Sequence, residues 1–400
     1  MLFKITRWGL NSLLLYILSI APVIAQNRNM NKKPVIVITD LYFPCQDPGD
    51  NFDLITAYGL SNIDLKAIIL DITDAFRKPV ADDPNLGHGP NGPREAGIIP
   101  VMQLNYIFNK NIPFAVGPFS KMKTSDDKMF DVPEFQQSGI ELLIKTLKES
   151  KQKIDILSFG SARIIAATYN RSPKLFREKV KMIYLSAGTA SPDSLMGNKT
   201  GANAILGGEW NVALDVHAFV SLLRSNLPIA IFPCAAEDGA FVLDKNNTYW
   251  KLPDLQFIQK MNPKLQRYLY YYFTKSLRHD FLRAMDLGAL PDSTSIVKYF
   301  PAPHSIWETA LWLQVSAHVL IKRRGDNYAI IPKDNVKPTD QIISGSLVQC
   351  TIHVNDDGRF TYNMTNQKTN FYIYERKDPL LNQTGFQAAL PILYESFLIN

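Results

Sequence analysis

The sequence predicts an α/β fold with an open, mostly parallel sheet flanked by helices, and three observations support it. Apolar, β-branched runs of strand length alternate with helical patterns along most of the chain. Several of these runs are apolar throughout, as expected for parallel strands that are buried on both faces. Residues 346–374 instead alternate apolar and polar side chains, which predicts a C-terminal antiparallel hairpin that joins a mixed sheet.

The order of the elements begins with a βαβ unit: a strand at 34–39, a helix at 54–60 and a strand at 65–72. The alternation then continues with strands at 113–116, 154–159, 182–187 and 229–234 and helices at 98–108, 139–149 and 163–169. Two long helices are predicted at 253–282 and 304–322. The basic residues Lys322, Arg323 and Arg324 are assigned to the end of the second, where cations favour the helix dipole.

The C-terminal part is predicted to hold strands at 346–354, 359–365 and 370–374, followed by a helix at 385–397. The turn Asp356-Asp357-Gly358 is typical of a hairpin. Residues 34–400 are therefore interpreted as one domain.

Charge and cysteine content exclude several classes of protein. The formal charge is +6, and removing Lys4 and Arg7 of the first segment leaves +4, which is too mild and too scattered to indicate a nucleic-acid partner. Three cysteines, Cys45, Cys234 and Cys350, are too few and too far apart to predict a disulfide framework or a zinc site.

Residues 1–25 are typical of a signal peptide. Lys4 and Arg7 precede an apolar stretch, which ends in Val23-Ile24-Ala25 before Gln26. An uncleaved membrane anchor is the alternative, although Ser19 and Pro22 interrupt the apolar run. The sequence thus predicts an exported protein, periplasmic or secreted, with no membrane span in the mature chain.

The segment from Thr39 to Asp53 is the most informative for chemistry, because it places Asp40, Asp47, Asp50 and Asp53 after the first strand. The carboxyl ends of parallel strands form the edge where open α/β sheets bind ligands. Carboxylates so close together repel one another, and oxygen ligands favour Ca²⁺ over Zn²⁺. A solvated acidic loop, with Asp53 capping the next helix, is the alternative.

This segment resembles the Asp-rich motif of the inosine-uridine-preferring nucleoside hydrolases, whose centre matches Asp47-Pro48-Gly49. The chain departs from that motif by an insertion after Asp40 and by placing the last carboxylate one residue further on. The resemblance implies that Asp47 binds calcium and accepts a proton from the attacking water. It implies that Asp53 is a second calcium ligand, with Asp50 as its rival, and that Asp50 or Asn51 contacts a ribose hydroxyl.

Two further segments resemble the same family. Glu209-Trp210-Asn211 is similar to a segment that grips the sugar, so that Glu209 and Asn211 bind ribose hydroxyls and Trp210 forms an apolar wall. Residues 155–173 are similar to the strand, turn and helix in which a backbone carbonyl binds calcium, a position that Arg163 occupies here. Asp215 is interpreted as a helix N-cap and the aromatic residues at 268–273 as core, with base stacking as the alternative.

The fourth expected element is a His-Asp pair that opens a late helix. His304 fits as the residue beside the leaving base, but Ser305 replaces the Asp. Glu308, predicted one helical turn beyond Ser305, is the candidate for the missing calcium ligand. The literal pair His279-Asp280 is the less favoured alternative, because it falls inside a predicted long helix.

Together these matches imply calcium-assisted hydrolysis of the N-glycosidic bond of a nucleoside or another ribosyl compound. Two alternatives stay open: a non-catalytic, calcium-dependent sugar or nucleoside binding protein, and a hydrolase of another glycosylated compound. The sequence leaves open the base preference and whether the chain forms a homo-oligomer.

Overall fold

The computed structural model describes residues 32–43, 49–73, 95–189, 209–274, 276, 279–300 and 302–399. The strands within these ranges are β1 Lys33–Thr39, β2 Ile63–Leu70, β3 Phe114–Val116, β4 Ile154–Ser158, β5 Val180–Ser186, β6 Ile229–Phe232, β7 Trp250–Leu252, β8 His304–Ile306, β9 His318–Arg323, β10 Asn327–Pro332, β11 Gln341–Ile342, β12 Ser346–Val354, β13 Phe360–Met364 and β14 Phe371–Glu375. All of them belong to one compact unit that begins at Lys33.

The α-helices in the same ranges are α1 Gly49–Gly59, α2 Ile98–Ile107, α3 Glu134–Glu149, α4 Arg163–Arg171, α5 Pro173–Lys179, α6 Trp210–Leu214, α7 Val216–Arg224, α8 Pro263–Phe273, α9 Ala284–Leu287, α10 Ser293–Tyr299, α11 Thr309–Ser316 and α12 Pro379–Glu395. Short 3-10 helices span Gln256–Lys260 and Lys333–Asn335. In the part of the chain that the structure describes, no helix is both long and apolar enough to cross a membrane.

The main sheet has the strand order β13-β12-β14-β6-β5-β4-β1-β2-β3. The strands from β14 to β3 in this order pair in parallel, whereas β12 is antiparallel to both β13 and β14. The fold is therefore an α/β fold with a mostly parallel sheet and a C-terminal antiparallel hairpin, as the sequence predicted.

Helices cover both faces of this sheet and form a hydrophobic core on each side. Alternate side chains of β1 point into these two cores. Val35 and Val37 pack with α1, α2, α8, α11 and α12, whereas Ile36 and Ile38 pack with α3, α4, α5 and α7. All four side chains are fully buried, and each contributes about 1.5–3 kcal/mol relative to an exposed position. The apolar runs that predicted buried strands are explained by this arrangement.

Two predicted long helices are wrong. The region 253–282 contains a 3-10 helix, the helix α8 and a turn at His279 and Asp280. The region 304–322 contains the strand β8, the helix α11 and most of the strand β9. Lys322 and Arg323 therefore belong to a strand that pairs with β10 and do not cap a helix.

Candidate functional site

The candidate site lies at one edge of the sheet, because the parallel strands β1, β2, β4, β5 and β6 all end there. Asp40 follows β1, Asp71 follows β2, and residues 159–162 follow β4. The backbone joins these ends: the N–H of Asp71 donates to the carbonyl of Thr39 at 2.8 Å, and the N–H of Phe159 donates to the carbonyl of Ile38 at 2.9 Å.

Helix α1 carries the second half of the acidic segment. It begins at Gly49, so Asp50, Asn51 and Asp53 lie buried in the helix. The prediction of a loop that extends to Asp53, and the alternative in which Asp53 caps the helix, are both wrong. An acidic residue in the first turn suits the helix dipole, which favours the earlier start at Gly49. Asp47 falls within residues 44–48, outside the described residues.

The aromatic residues of α8 hold the beginning of α1 and the end of β1. The hydroxyl of Tyr268 donates to Oδ1 of Asn51. The hydroxyl of Tyr272 donates to the carbonyls of Leu41 and Tyr42 at 3.0 and 3.1 Å. Both tyrosines are fully buried. The interpretation of this cluster as core is confirmed, and its hydroxyls fix the backbone that leads to the site.

Asp53 is bound by a residue distant in sequence. Its Oδ1 accepts a hydrogen bond from the indole N–H of Trp312 in α11 at 2.9 Å. The ring of Trp312 also packs against Phe159 at the end of β4, with centroids 5.9 Å apart. A cavity of about 10 Å³ beside Asp53 has room for about one water molecule. This space is far too small for a nucleoside.

The carboxylate of Glu209 caps α6 and also holds the chain after β5. It accepts from the backbone N–H groups of Asn211 at 3.1 Å, Val212 at 3.2 Å and Gly188 at 2.8 Å. Burial raises the pKa of Glu209 to about 7, although the backbone donors counteract this. Glu209 therefore titrates near neutral pH and fixes the start of the segment that the resemblance assigns to sugar binding.

Asn211 faces the same edge. Its side-chain amide donates to the carbonyl of Ser186 at 2.7 Å and to the carbonyl of Phe159 at 3.3 Å. These two carbonyls stand at the ends of β5 and β4, so Asn211 ties two neighbouring strands together. Helix α6 begins at Trp210, which lies between Glu209 and Asn211 and is half-buried.

Glu308 lies at the site, but the secondary structure that places it there differs from the prediction. Residues His304–Ile306 form β8, which pairs with β7, and α11 begins only at Thr309. The predicted one-turn relation between Ser305 and Glu308 is therefore wrong. Oε1 of Glu308 accepts from the hydroxyl of Ser186 at 3.0 Å, and this hydroxyl lies 3.2 Å from Sγ of Cys234.

His304 is buried, and its ring centroid lies 5.5 Å from that of Phe52 in α1. Among the described residues, its Nε2 has no hydrogen-bond partner. Burial lowers the pKa of His304 to about 4, so the imidazole is neutral at pH 7. The alternative pair His279-Asp280 is exposed in a turn, and the helix in which it was predicted to lie does not exist.

Arg163 is the first residue of α4, and its side chain makes an ion pair with Asp215 at 2.7 Å from Nε to Oδ2. Both side chains are buried. Asp215 also accepts from the N–H of Ala218 at 3.1 Å, which confirms its interpretation as a helix N-cap. The guanidinium of Arg163 therefore contacts a carboxylate. The backbone carbonyl of Arg163, which is the predicted calcium ligand, lies in the first turn of α4.

The sequence interpretation missed Asp71, which is fully buried and accepts from the N–H of Ser161 at 2.6 Å. Burial raises its pKa, and the charge of Arg163 counteracts this. Its signal was available, because Asp71 directly follows an apolar strand, as Asp40 does.

Other polar atoms at this edge also lacked a clear sequence signal. The hydroxyls of Thr39, Thr73 and Ser158 are buried and have no hydrogen-bond partner among the described residues. Such groups are uncommon in folded proteins unless water or a ligand satisfies them. This edge therefore has free hydrogen-bonding capacity for a polar ligand.

The expected calcium ligands among the described residues are Asp53, Glu308 and the backbone carbonyl of Arg163. Asp53 and Glu308 accept hydrogen bonds from Trp312 and Ser186, and the carbonyl of Arg163 lies in the first turn of α4. In the described part of the chain, no group of three or more His, Cys, Asp or Glu side chains is arranged to hold a metal ion. The described donors do not fit Ca²⁺, which prefers six to eight oxygen ligands.

A larger cavity of about 630 Å³ lies elsewhere in the molecule. It is lined by residues from β9, β12, α11 and the start of α12, together with Lys33 at the amino end of β1. Its volume suits a small molecule, but none of the candidate site residues lines it. It is therefore separate from the edge described above.

No protein-family profile matches the sequence, and no curated protein matches it. Among solved structures, an inosine-uridine preferring nucleoside hydrolase from Bacillus anthracis is 14% identical and has a TM-score of 0.46, over 89% of this chain and 98% of that one. A purine-preferring ribonucleoside hydrolase from Gardnerella vaginalis is 12% identical, with a TM-score of 0.43 over 91% and 99%. An effector protein is 13% identical, with a TM-score of 0.44 over 92% and 94%.

Proposed function

We propose that the chain hydrolyses the N-glycosidic bond of a nucleoside or a related ribosyl compound. The observation that supports this most is the convergence of separate motif residues on one sheet edge. Asn211 bridges the ends of β4 and β5, Glu308 binds Ser186 at the end of β5, and His304 packs on Phe52 in the first turn of α1. These residues come from distant parts of the sequence, as residues of an active site commonly do.

The reaction consumes one water molecule. The C–N bond between the sugar and the base breaks, its electron pair leaves with the base, and water adds to the sugar carbon through an oxocarbenium-like transition state. One proton from the water passes to a carboxylate, the departing base takes a proton from solvent water, and the carboxylate returns its proton to solvent, so that the products are the free sugar and the protonated base. Asp47 is the proposed base, by resemblance to the nucleoside hydrolases.

Sugar binding is assigned to two segments whose backbone is held by hydrogen bonds, residues 209–211 and the start of α1. Asn211 and Glu209 bind ribose hydroxyls from one side, and Asp50 or Asn51 binds them from the other. Positions held by backbone hydrogen bonds lose little entropy when a substrate binds, so the binding energy remains available for the transition state. Trp210 forms an apolar wall between Glu209 and Asn211.

His304 is proposed to lie beside the leaving base as a neutral imidazole. Its pKa of about 4 means that it carries no positive charge at pH 7, which rules out the imidazolium as the resting proton donor. The neutral ring still offers one donor and one acceptor. It can hydrogen-bond a base nitrogen as negative charge develops there.

The calcium ligand that this proposal retains is Asp47, which lies outside the residues that the structure describes. If Ca²⁺ binds, it supplies positive charge that orients the sugar diol and lowers the pKa of a bound water. The described residues Asp53, Glu308 and Arg163 do not complete such a site. The requirement for calcium is therefore tested separately from the activity.

A second candidate function is a sugar or nucleoside binding protein without turnover. It is favoured by the engagement of Glu308 and Glu209 with donors of the protein itself. Carboxylates that already accept hydrogen bonds from the protein have less accepting capacity left to orient an attacking water. A hydrolase of another glycosylated compound is the third possibility, and it uses the same edge.

The deciding experiment measures release of free base from a panel of purine and pyrimidine nucleosides by the purified chain, with and without a calcium chelator. Release of base from any nucleoside supports the proposed hydrolase. Binding of a nucleoside in calorimetry without release supports the binding protein. Neither binding nor release contradicts both and leaves the hydrolase of another glycoside.

Exchange of Asp47 for Asn removes the proposed base with little change in size. We expect kcat to fall by about 10²–10⁴-fold with KM nearly unchanged, since general bases contribute about that much. Base release followed by chromatography gives both constants. An Asp47→Asn variant with wild-type kcat contradicts the role, and Asp131→Asn on the exposed surface serves as the control.

Export is proposed from residues 1–25 alone. We expect the mature chain to begin at Gln26 after expression with its leader in a host that exports proteins. Intact mass and N-terminal sequencing of the protein in the medium or periplasm would test this. Retention of the full leader in a membrane fraction would instead support the anchor.

A further inference from the structure

The guanidinium of Arg163 is a buried cation at the candidate site edge. Its side chain is fully buried, and each of its three nitrogens donates to an oxygen. The acceptors are Oδ2 of Asp215 at 2.7 Å and the carbonyls of Pro118 at 2.9 Å, Ile72 at 3.1 Å, Phe119 at 3.2 Å and Leu214 at 3.2 Å. Oδ1 of Asp71 lies 4.0 Å away.

These oxygens come from different parts of the carboxyl edge. Ile72 follows β2, Pro118 and Phe119 follow β3, and Leu214 and Asp215 join α6 to α7. Arg163 itself follows β4. One guanidinium therefore connects four segments of chain that border the site, through four carbonyls and a carboxylate.

A shell of carbonyl and carboxylate oxygens is the kind of environment that holds a hard metal cation in proteins. Here the positive charge is part of the chain. The two nearby carboxylates, Asp215 and Asp71, carry the negative charge that a metal would otherwise neutralise. Two of the carboxylates expected to bind calcium, Asp53 and Glu308, accept hydrogen bonds from Trp312 and Ser186 instead.

We propose that Arg163 supplies the cation that assembles the carboxyl edge of this sheet, and that the site is formed without a bound divalent metal. This inference depends on the proposed function only for placing the site at this edge. Arg163 acts as a positioning residue, because it holds loops and does not contact the reacting atoms.

A second buried arginine provides an internal comparison. Arg376 is also almost fully buried, and it donates to the carbonyls of Asp244 and Tyr249 and to the side-chain oxygens of Asn247 and Asn382. These four acceptors are neutral. One carboxylate, that of Asp244, acts on the charge of Arg376, whereas Arg163 has two beside it, Asp215 at 2.7 Å and Asp71 at 4.0 Å.

The first measurement uses the wild-type chain after chelation and desalting. We expect less than about 0.1 equivalents of calcium per chain by mass spectrometry of the metals, and a Tm that changes by less than about 1 °C when millimolar Ca²⁺ is added. Stoichiometric calcium together with a Tm increase of several degrees would overturn the inference.

The second measurement compares Arg163→Ala with Arg376→Ala. Both are expected to lower the Tm, and methylguanidinium at millimolar concentration is expected to restore part of it in both. Ca²⁺ is expected to raise the Tm of Arg163→Ala by several degrees and that of Arg376→Ala much less, because only the first cavity is bordered by two carboxylates, Asp215 and Asp71. Equal responses of the two variants to Ca²⁺ would contradict the proposal.

If Arg163→Ala does not fold, Arg163→Lys replaces it. A lysine keeps the charge but not the fork of donors, so we expect an intact fold with a raised KM for a nucleoside substrate and the same insensitivity to chelator. Activity that requires Ca²⁺ would overturn this inference and leave the proposed hydrolase standing. If the wild type is free of metal and inactive, while Arg163→Ala responds to Ca²⁺ as expected, the proposed hydrolase is overturned and the present inference stands.

Discussion

At the scale of single residues, burial alone lowers the pKa of His304, because no carboxylate among the described residues counteracts it. Its ring lies against Phe52 at the start of α1, and its neighbour Ser305 stands where a carboxylate was expected. A carboxylate beside the ring would raise the pKa, whereas desolvation alone lowers it to about 4. Ser305 is the next residue of β8, and its side chain points to the opposite face of the strand, so the pKa of His304 reflects its burial and not the residue at position 305.

The depressed pKa of His304 makes folding pH-dependent. The unfolded chain protonates this residue near pH 6.5 and the folded chain near pH 4, so between these values the unfolded state binds more protons and stability falls as pH falls. We expect the free energy of unfolding of the wild type to drop between pH 7 and pH 5 by on the order of 2 kcal/mol more than that of His304→Asn.

Urea unfolding at the two pH values measures this difference. His217→Asn, at an exposed position in α7, provides the control and is expected to follow the wild type. Equal pH dependence of His304→Asn and the wild type would mean that the folded protein accommodates the imidazolium.

At the scale of elements, α11 determines which residues meet at the candidate site. Glu308, the N-cap residue directly before α11, binds Ser186, and Trp312 in the first turn of α11 binds Asp53. The sequence did not predict this, because the short strand β8 is stabilised by pairing with β7, more than 50 residues earlier in the chain. A local pattern cannot contain that information, and the apolar residues of β8, α11 and β9 together imitate one long helix.

The energetic contribution of the hydrogen bond between α1 and α11 can be tested by replacing two tryptophans in turn. Trp312 donates to the carboxylate of Asp53, and Trp250 donates to the hydroxyl of Thr309 at 3.2 Å. Each substitution by Phe deletes a similar volume and one donor. Because hydrogen bonds to charged groups contribute more, we expect Trp312→Phe to cost about 2–3 kcal/mol in excess of its cavity effect and Trp250→Phe about 1 kcal/mol.

Thermal and denaturant unfolding of both variants gives the comparison. The double variant Trp312→Phe, Asp53→Asn should recover part of the loss, because a neutral amide is easier to bury than a carboxylate. A Trp312→Phe variant that is no less stable than Trp250→Phe would show that the indole contributes by packing only.

At the scale of the whole molecule, the sequence predicted the strands of the main sheet to within about two residues, whereas among the helices only α2 and α4 were predicted as closely. Those elements have long apolar patterns whose period alone identifies them. The site was predicted less well: Glu209 and Asn211 do face the strand ends, but the partners of Asp53 and Arg163 lie 259 and 52 positions away in the chain. Such partners are set by tertiary packing, which a single sequence does not display.

The last helix is expected to be essential for the fold as a whole. Phe386 stacks on Trp250 with centroids 5.0 Å apart, and Tyr394 packs on Phe52 at 5.3 Å. Truncation before Pro379 exposes these partners and removes on the order of 10 kcal/mol of apolar burial, comparable to the stability of a typical domain. We expect no soluble folded protein, as judged by near-UV circular dichroism.

A substitution at an exposed residue near the same end of the chain serves as the control for the truncation. Leu398 is 89% exposed, so Leu398→Ser should leave the Tm unchanged. A truncated chain that remains soluble with a cooperative unfolding transition would contradict the expectation.

The position of β14 also affects when the protein can fold during its synthesis. β14 lies inside the sheet, paired with β6 on one side and β12 on the other, although it is the last strand of the chain. While a ribosome has yet to release residues 371–375, β6 has an open edge and the sheet cannot be completed. The main sheet can therefore be completed only after nearly the whole chain has left the ribosome, which makes its folding a late event in synthesis.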